Sequence, residues 1–261
     1  MELNSNCICF SHYIFLFFNK NIFFNIAVVM KNLLKYSVFF ILFSRFTFAQ
    51  YDNNRFALSF GYNYTTSSKI FLNPDAKDIF DQNQFFDVGD FQNYSAELRY
   101  RLSDMLILGL SVEYLTNAES GRNLTSPVFL INDGFEIYPL EISLFYLLPF
   151  STESFKFFFG GGLGIYLGNR TRDFGDIKFV KIDSQIGYGI QVSTGMDYLL
   201  FDNLSVRGEI RFRDPDFKVT NKYSNKTVNY EGRIYSVSPK SLVSRINVDG
   251  ITFRIGAAFH F

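Results

Sequence analysis

From Gln50 to the end of the chain, apolar side chains recur at every second position in eight separate segments. A repeat of two is the period of a β-strand with one apolar and one polar face. The segments are Arg55–Tyr64, Tyr94–Leu102, Leu106–Tyr114, Tyr138–Leu148, Phe157–Leu167, Gln185–Tyr198, Leu204–Phe212 and Gly250–Phe261. In the last of them Ile251, Phe253, Ile255, Ala257, Phe259 and Phe261 alternate with Thr252, Arg254, Gly256, Ala258 and His260. These runs are 9–14 residues long; a tilted strand needs ~9–11 residues to cross a bilayer. No run is apolar long enough for a membrane helix, which needs ~20 residues.

The links alternate too. Ser103–Met105, Pro149–Lys156 and Leu199–Asn203 are short, whereas 65–93, 115–137, 168–184 and 213–249 are long and polar. Short turns on one side and long loops on the other is the asymmetry of outer-membrane barrels.

Alternation does not by itself say which face points outward, because a water-soluble barrel would bury the apolar face. Two features favour apolar-out. The polar face is rich in small residues (Gly160, Gly162, Gly164, Gly187, Gly189, Gly256, Ala258), which suit a crowded interior and weaken a water-facing strand. Aromatic residues also gather at the ends of the apolar face. Tyr62, Tyr64, Tyr94, Tyr114, Tyr138 and Tyr188 lie toward the loops, and Phe56, Tyr100, Tyr146, Phe157, Tyr198, Phe259 and Phe261 toward the turns. Such girdles mark the two membrane interfaces.

An alternating last strand with a terminal Phe resembles the closing strand of bacterial outer-membrane β-barrels, and residues 50–261 are similar in pattern to OmpA-like and OmpW-like barrels. The resemblance implies an all-β fold, an eight-stranded antiparallel up-and-down transmembrane β-barrel, without a C-terminal peptidoglycan-binding domain. It implies extracellular loops, periplasmic termini, outer-membrane lipid as surroundings, and periplasmic chaperones and the barrel-insertion machinery as partners. The insertion signal would be carried by Phe253, Ile255, Phe259 and Phe261. We expect a monomer.

Met30–Gln50 has the layout of a secretory signal peptide. Lys31 and Lys35 precede the apolar stretch Tyr36–Phe43, and Thr47 and Ala49 stand at −3 and −1 of a cleavage site. We expect 30–49 to be the signal peptide and 1–29 to be an upstream extension, with Met30 the true initiator. Both cysteines, Cys7 and Cys9, fall in that leader. Disulfides, cysteine-held metals and a cysteine nucleophile are thereby excluded from the mature chain. Its net charge of −3, from 21 basic and 24 acidic residues, gives no reason to expect nucleic acid as a partner.

The inward face carries Glu97, Glu113, Glu141, Asp197 and Glu209 with Arg99, Arg101, Arg207, Arg211 and Arg254. A barrel of eight strands is just wide enough to be filled by side chains. This balanced set therefore predicts a lumen plugged by ion pairs, and a structural or surface-interaction role. A narrow channel or transporter for ions or small hydrophobic solutes is the alternative. A lipid-modifying enzyme is disfavoured, because His260 is the one histidine after the leader and no nucleophile is evident beside it. We expect no catalytic residues, cofactor or metal. The glycine run Gly160–Gly164 lacks the Gly-Lys-Ser/Thr of a phosphate loop and reads as strand packed against large neighbours.

Register follows from keeping apolar residues outward. Leu102 should face Leu106 across a three-residue turn, with Glu97 opposite Ser111 and Arg99 opposite Gly109. Tyr198 should face Leu204, with Gly195 beside Arg207 and Ser193 beside Glu209. Glu209 is the expected partner of Arg254.

Overall fold

The computed structural model describes residues 54–123 and 126–261. The expected upstream extension and signal peptide lie outside the described residues. The elements in order are β1 (Phe56–Thr65), β2 (Lys69–Phe71), a one-turn helix α1 (Ile79–Gln82), β3 (Phe85–Asp87), β4 (Phe91–Arg101), β5 (Leu106–Asn123) and β6 (Ser126–Leu147). They continue with β7 (Phe155–Phe174), β8 (Ile177–Ser184), β9 (Gly187–Phe201), β10 (Leu204–Arg213) and β11 (Asp216–Tyr223). The last are β12 (Thr227–Tyr230), β13 (Arg233–Ser236), β14 (Leu242–Asn247) and β15 (Ile251–His260).

All strand pairings are antiparallel, and they close on themselves. The order runs β1–β4–β5–β6–β7–β9–β10–β15 and returns to β1, where Leu58 faces both Leu98 and Phe259. Closure removes the free sheet edges. It also gives the period-two pattern an inside and an outside. Phe60, Leu98, Leu110, Ile142, Leu163, Ile190, Phe253 and Ile255 are exposed on the outer face, and Leu163 is 69 % accessible. Ser59, Glu97, Ser111, Glu141, Gln191, Arg254 and Ala258 are buried inside. So broad an apolar exterior is foreign to a protein in water and suits one in lipid. Tyr62 packs against Tyr94 (5.6 Å) and Tyr114 against Tyr138 (5.1 Å), both with tilted rings, at the loop side. Phe56 meets Tyr100 (4.9 Å) and Phe155 meets Tyr198 (4.7 Å) at the turn side.

The expected long loops are in large part strands. β5 has 18 residues, about 60 Å at ~3.3 Å per residue, or roughly twice the hydrocarbon thickness. Its pairing with β6 continues to Gly121↔Ile131. Beyond the tyrosine row, β8, β11, β14, β2 and β3 add to β7 in that order. This sheet returns to β5, where Asn117 donates to the Val88 and Asp90 carbonyls (2.7 and 3.0 Å) and Gly121 lies under the Phe86 ring. Outside the bilayer a strand's outer face need not be apolar, so these segments carry no clean alternation and read as loops.

The β4–β5 hairpin has the expected register, with Glu97↔Ser111 and Arg99↔Gly109. The β9–β10 register differs from expectation by two residues. Arg207 lies opposite Asp197, Glu209 opposite Gly195 and Arg211 opposite Ser193. Phe201 and Leu204 close a tight turn, and an irregularity between Leu204 and Ser205 absorbs one residue. A shift of two keeps every side chain on its face, so apolar patterning could not detect it.

Glycines on the inner face leave room for large neighbours. Phe145, fully inside, lies against Gly109 and Gly160, and Tyr166 lies against Gly164 and Gly189. A Cβ at Gly160 would overlap the Phe145 ring, whereas one at the outward-facing Gly208 would meet open space. Gly160→Val is expected to lower stability by about 1–3 kcal/mol in denaturant unfolding. Gly208→Ala should stay within about 0.5 kcal/mol of wild type. Equal losses at the two positions would contradict the packed interior.

Candidate functional site: the charge network inside the ring

Alternation along β10 places Arg207, Glu209, Arg211 and Arg213 on one inward face. Around the ring β4 adds Glu97 and Arg99, β5 adds Glu113, β6 adds Glu141, β9 adds Asp197 and β15 adds Arg254. All ten are buried. Five carboxylates thus meet five guanidiniums, which is the condition for burying them without an uncompensated charge.

Three groups can be traced along the axis. Nearest the turns, Arg207 binds Asp197 through two parallel bonds, Nε to Oδ1 at 2.7 Å and Nη2 to Oδ2 at 3.1 Å. Arg99 bonds Glu97 and reaches Asp197 at 3.3 Å. In the middle, Arg254 Nη1 meets Glu97 at 2.6 Å and Glu209 at 3.6 Å. Toward the loops, Arg213 lies 3.1 Å from Glu113 and 3.5 Å from Glu141, and the Tyr166 hydroxyl donates to Glu141 at 2.6 Å. Arg211 joins these groups. It contacts Glu113 (2.8 Å), Glu141 (3.0 Å), Glu209 (3.1 Å) and, at 4.0 Å, Glu97.

Apolar layers close both ends. At the turn side Ile107, Phe145, Leu147 and Phe158 form a cluster, with the Arg207 guanidinium 4.0 Å from the Phe158 ring centre. At the loop side Phe91, Leu115, Phe135, Ile137 and Tyr166 meet Phe217, Val219, Ile70 and Ile246 from the outer strands. Farther out, Asp133 binds Arg170 and Arg172. Burial would push the Asp133 carboxyl up, but the two guanidiniums outweigh it and hold it below the usual range.

Several sequence expectations change here. Glu97, not Glu209, is the nearer partner of Arg254. Gly61 on the intervening β1 has no Cβ, and the Arg254 side chain crosses it. Arg101 sits at the turn-side rim, half-buried, and its expected place in the balanced set belongs to the buried Arg213. Arg213 lies one residue beyond the alternating segment Leu204–Phe212, and continuing the alternation by that residue finds it.

The surroundings of His260 differ as well: its Nε2 lies 2.8 Å from the buried Ser205 hydroxyl on adjacent β10. No sequence signal pairs residues so far apart. The adjoining cavity is about 20 Å³, room for about one water. The cavity that His260 lines is thus too small to admit a lipid. Phe253, Ile255, Phe259 and Phe261 lie on the exposed outer face. Among the described residues no three His, Cys, Asp or Glu side chains converge as metal ligands.

Arg211→Met would leave four nearby carboxylates short of one cation, at an expected cost of about 3–5 kcal/mol in denaturant unfolding. Arg254→Met should cost less, since Arg99 still holds Glu97. Adding Glu113→Gln to Arg211→Met should recover part of the loss, a coupling of about 1–3 kcal/mol. Strict additivity would show that the interior is wet enough to screen its charges.

The family model described as the outer membrane protein β-barrel domain matches residues 37–261. A search of curated protein sequences gave no match. Among solved structures, the outer membrane protein OprG from Pseudomonas aeruginosa is similar at 16 % identity and a TM-score of 0.58, covering 82 % of this chain and 99 % of OprG. The solid-state NMR structure of AlkL in lipid bilayers is 17 % identical, with a TM-score of 0.48 and coverage of 82 % and 93 %. Outer membrane protein W from E. coli is 14 % identical, with a TM-score of 0.39 and coverage of 80 % and 98 %. With the family matched from residue 37 to Phe261, this chain belongs to the outer membrane protein β-barrel domain family and is a small barrel of the bacterial outer membrane.

Proposed function

We propose that the closed ring is an eight-stranded up-and-down transmembrane barrel with a plugged lumen, and that its role is structural or surface-interacting rather than conducting or catalytic. The observation that carries this reading is the interior filling. A paired layer of ten charged side chains lies between two apolar layers, one led by Phe145 and Phe158, the other by Phe135 and Ile137. A conducting pore needs a continuous wet path, and buried aromatic residues at both ends oppose one. The long strand extensions face outside the cell and the short turns face the periplasm, as the loop asymmetry of such barrels favours. Lipid surrounds the apolar face, and the barrel is a monomer. Chaperones and the insertion machinery read the outward Phe259 and Phe261. The Ser205–His260 pair is a structural hydrogen bond, because a lipid substrate cannot enter a space of about 20 Å³.

The test is planar-bilayer recording on refolded protein. No discrete conductance above bare lipid is expected for wild type, and Phe145→Ala with Phe158→Ala should produce small openings. Discrete steps in the wild type would overturn the plugged reading and favour the narrow channel. Location is tested separately: the chain should refold in detergent or liposomes, migrate differently on gels before and after boiling, and aggregate in plain buffer. A monodisperse, detergent-free monomer would contradict a lipid-facing exterior.

A further inference from the structure

Beyond the loop-side apolar layer the strand extensions surround a second, half-open interior. Along β6 the sequence of levels is Glu141 in the charge network, Phe135 and Ile137 in the apolar floor, then Asp133 and Ile131 above it. Above that floor is a cavity of about 500 Å³ lined by β6, β7, β11, β13, β14, the loops on either side of α1 and the loop before β14. Its volume falls in the range of small-molecule sites. It does not depend on whether the lumen below conducts.

Two features of the lining define what would fit. The first is charge. Arg170 and Arg172 line the cavity, and among its described lining residues there is no carboxylate. Both guanidiniums share one acid, Asp133, behind them. Arg170 Nε donates to Oδ1 at 2.8 Å, Arg172 Nε to Oδ2 at 3.1 Å and Arg172 Nη2 to the same oxygen at 2.5 Å. Ser244 and Tyr223 take one further N–H each. Among the described residues these bonds use three of the five N–H groups on each guanidinium. The cluster therefore carries one positive charge in excess, and Arg172 is the more accessible of the two.

The second feature is the wall, formed by Phe129, Phe174, Tyr223 and Tyr235. Phe129 meets Phe174 at 5.4 Å and Tyr235 at 4.8 Å, both edge to face. A guanidinium pair short of one anion, set in an aromatic chamber, is complementary to one chemistry: a single negative head on an apolar body.

We propose that this chamber is a binding site for small organic monoanions with an aromatic or aliphatic body, the anion bridging Arg170 and Arg172 and the body lying among the four rings. Folded protein in phosphatidylcholine nanodiscs would be titrated calorimetrically with 4-phenylbutyrate, its uncharged amide, and inorganic phosphate, with empty nanodiscs as blank. Saturable binding of phenylbutyrate is expected, weakened about tenfold or more for the amide, which lacks the charge, and for phosphate, which lacks the apolar body. Arg172→Gln should weaken phenylbutyrate by a similar factor while leaving amide binding unchanged. Ser236→Trp, on the cavity wall and away from the guanidiniums, should abolish binding by filling the space. Heat-modifiable migration confirms folding of each variant, and if Arg172→Gln does not fold, Ser236→Trp decides. The proposal is overturned by absence of saturable binding, by amide or phosphate binding as tightly as phenylbutyrate, or by binding that survives Ser236→Trp.

Discussion

The structure depends on ionised side chains being paired where water is scarce. Moving one carboxylate or guanidinium out of water costs several kcal/mol, and only close opposite charges with good hydrogen bonds offset it. Ten such groups share the interior, so the register of every strand that contributes one is constrained by its partners. Arg211 contacts carboxylates from β4, β5, β6 and β10. It is the group through which strands that never touch in the sheet become mutually dependent.

Space is the complementary constraint. A closed ring of this size has little interior volume, and its glycines divide it between large neighbours. Gly109 and Gly160 make the slot for Phe145, and Gly61 makes the crossing for Arg254. Phe145 in turn forms part of the surface on which Arg99 and Arg207 lie, with guanidinium carbons 5.6 and 5.2 Å from its ring centre. The small residues thus serve electrostatics as well as packing: they let the cations approach one another's anions and the aromatic faces.

The same alternation of charged and apolar levels continues past the membrane. The loop-side apolar floor is built jointly by the ring strands, through Phe91, Leu115 and Phe135, and by the added strands, through Ile70, Phe217 and Ile246. Residues of the long connections therefore complete the barrel's upper seal. They also carry the Asp133–Arg170–Arg172 group above it, where the pairing no longer balances. Among the described residues the buried network inside the ring has five acids and five bases, whereas the group above the floor has one acid and two bases.

Period-two alternation in the sequence was enough to identify the eight ring strands and to sort their residues into two faces, because side-chain direction in a strand repeats every two residues. The small residues of one face and the aromatic ends of the other said which points inward, and so gave most of the interior charge set; closure was implied by the family resemblance. The family resemblance rested on that pattern and on the aromatic ends. What alternation does not carry is height. Sliding β9 against β10 by two residues leaves every face unchanged and yet moves Arg207 from Gly195 to Asp197. Arg254 finds Glu97 across β1, and Ser205 finds His260 on a neighbouring strand, by the same kind of vertical placement. Turn length, local irregularity and the absence of a Cβ at Gly61 decide such contacts, and these act only once the strands are assembled. The chamber above the floor was least legible of all. Its walls come from segments freed from the lipid's demand for an apolar exterior, so no periodic signal marked them as strands.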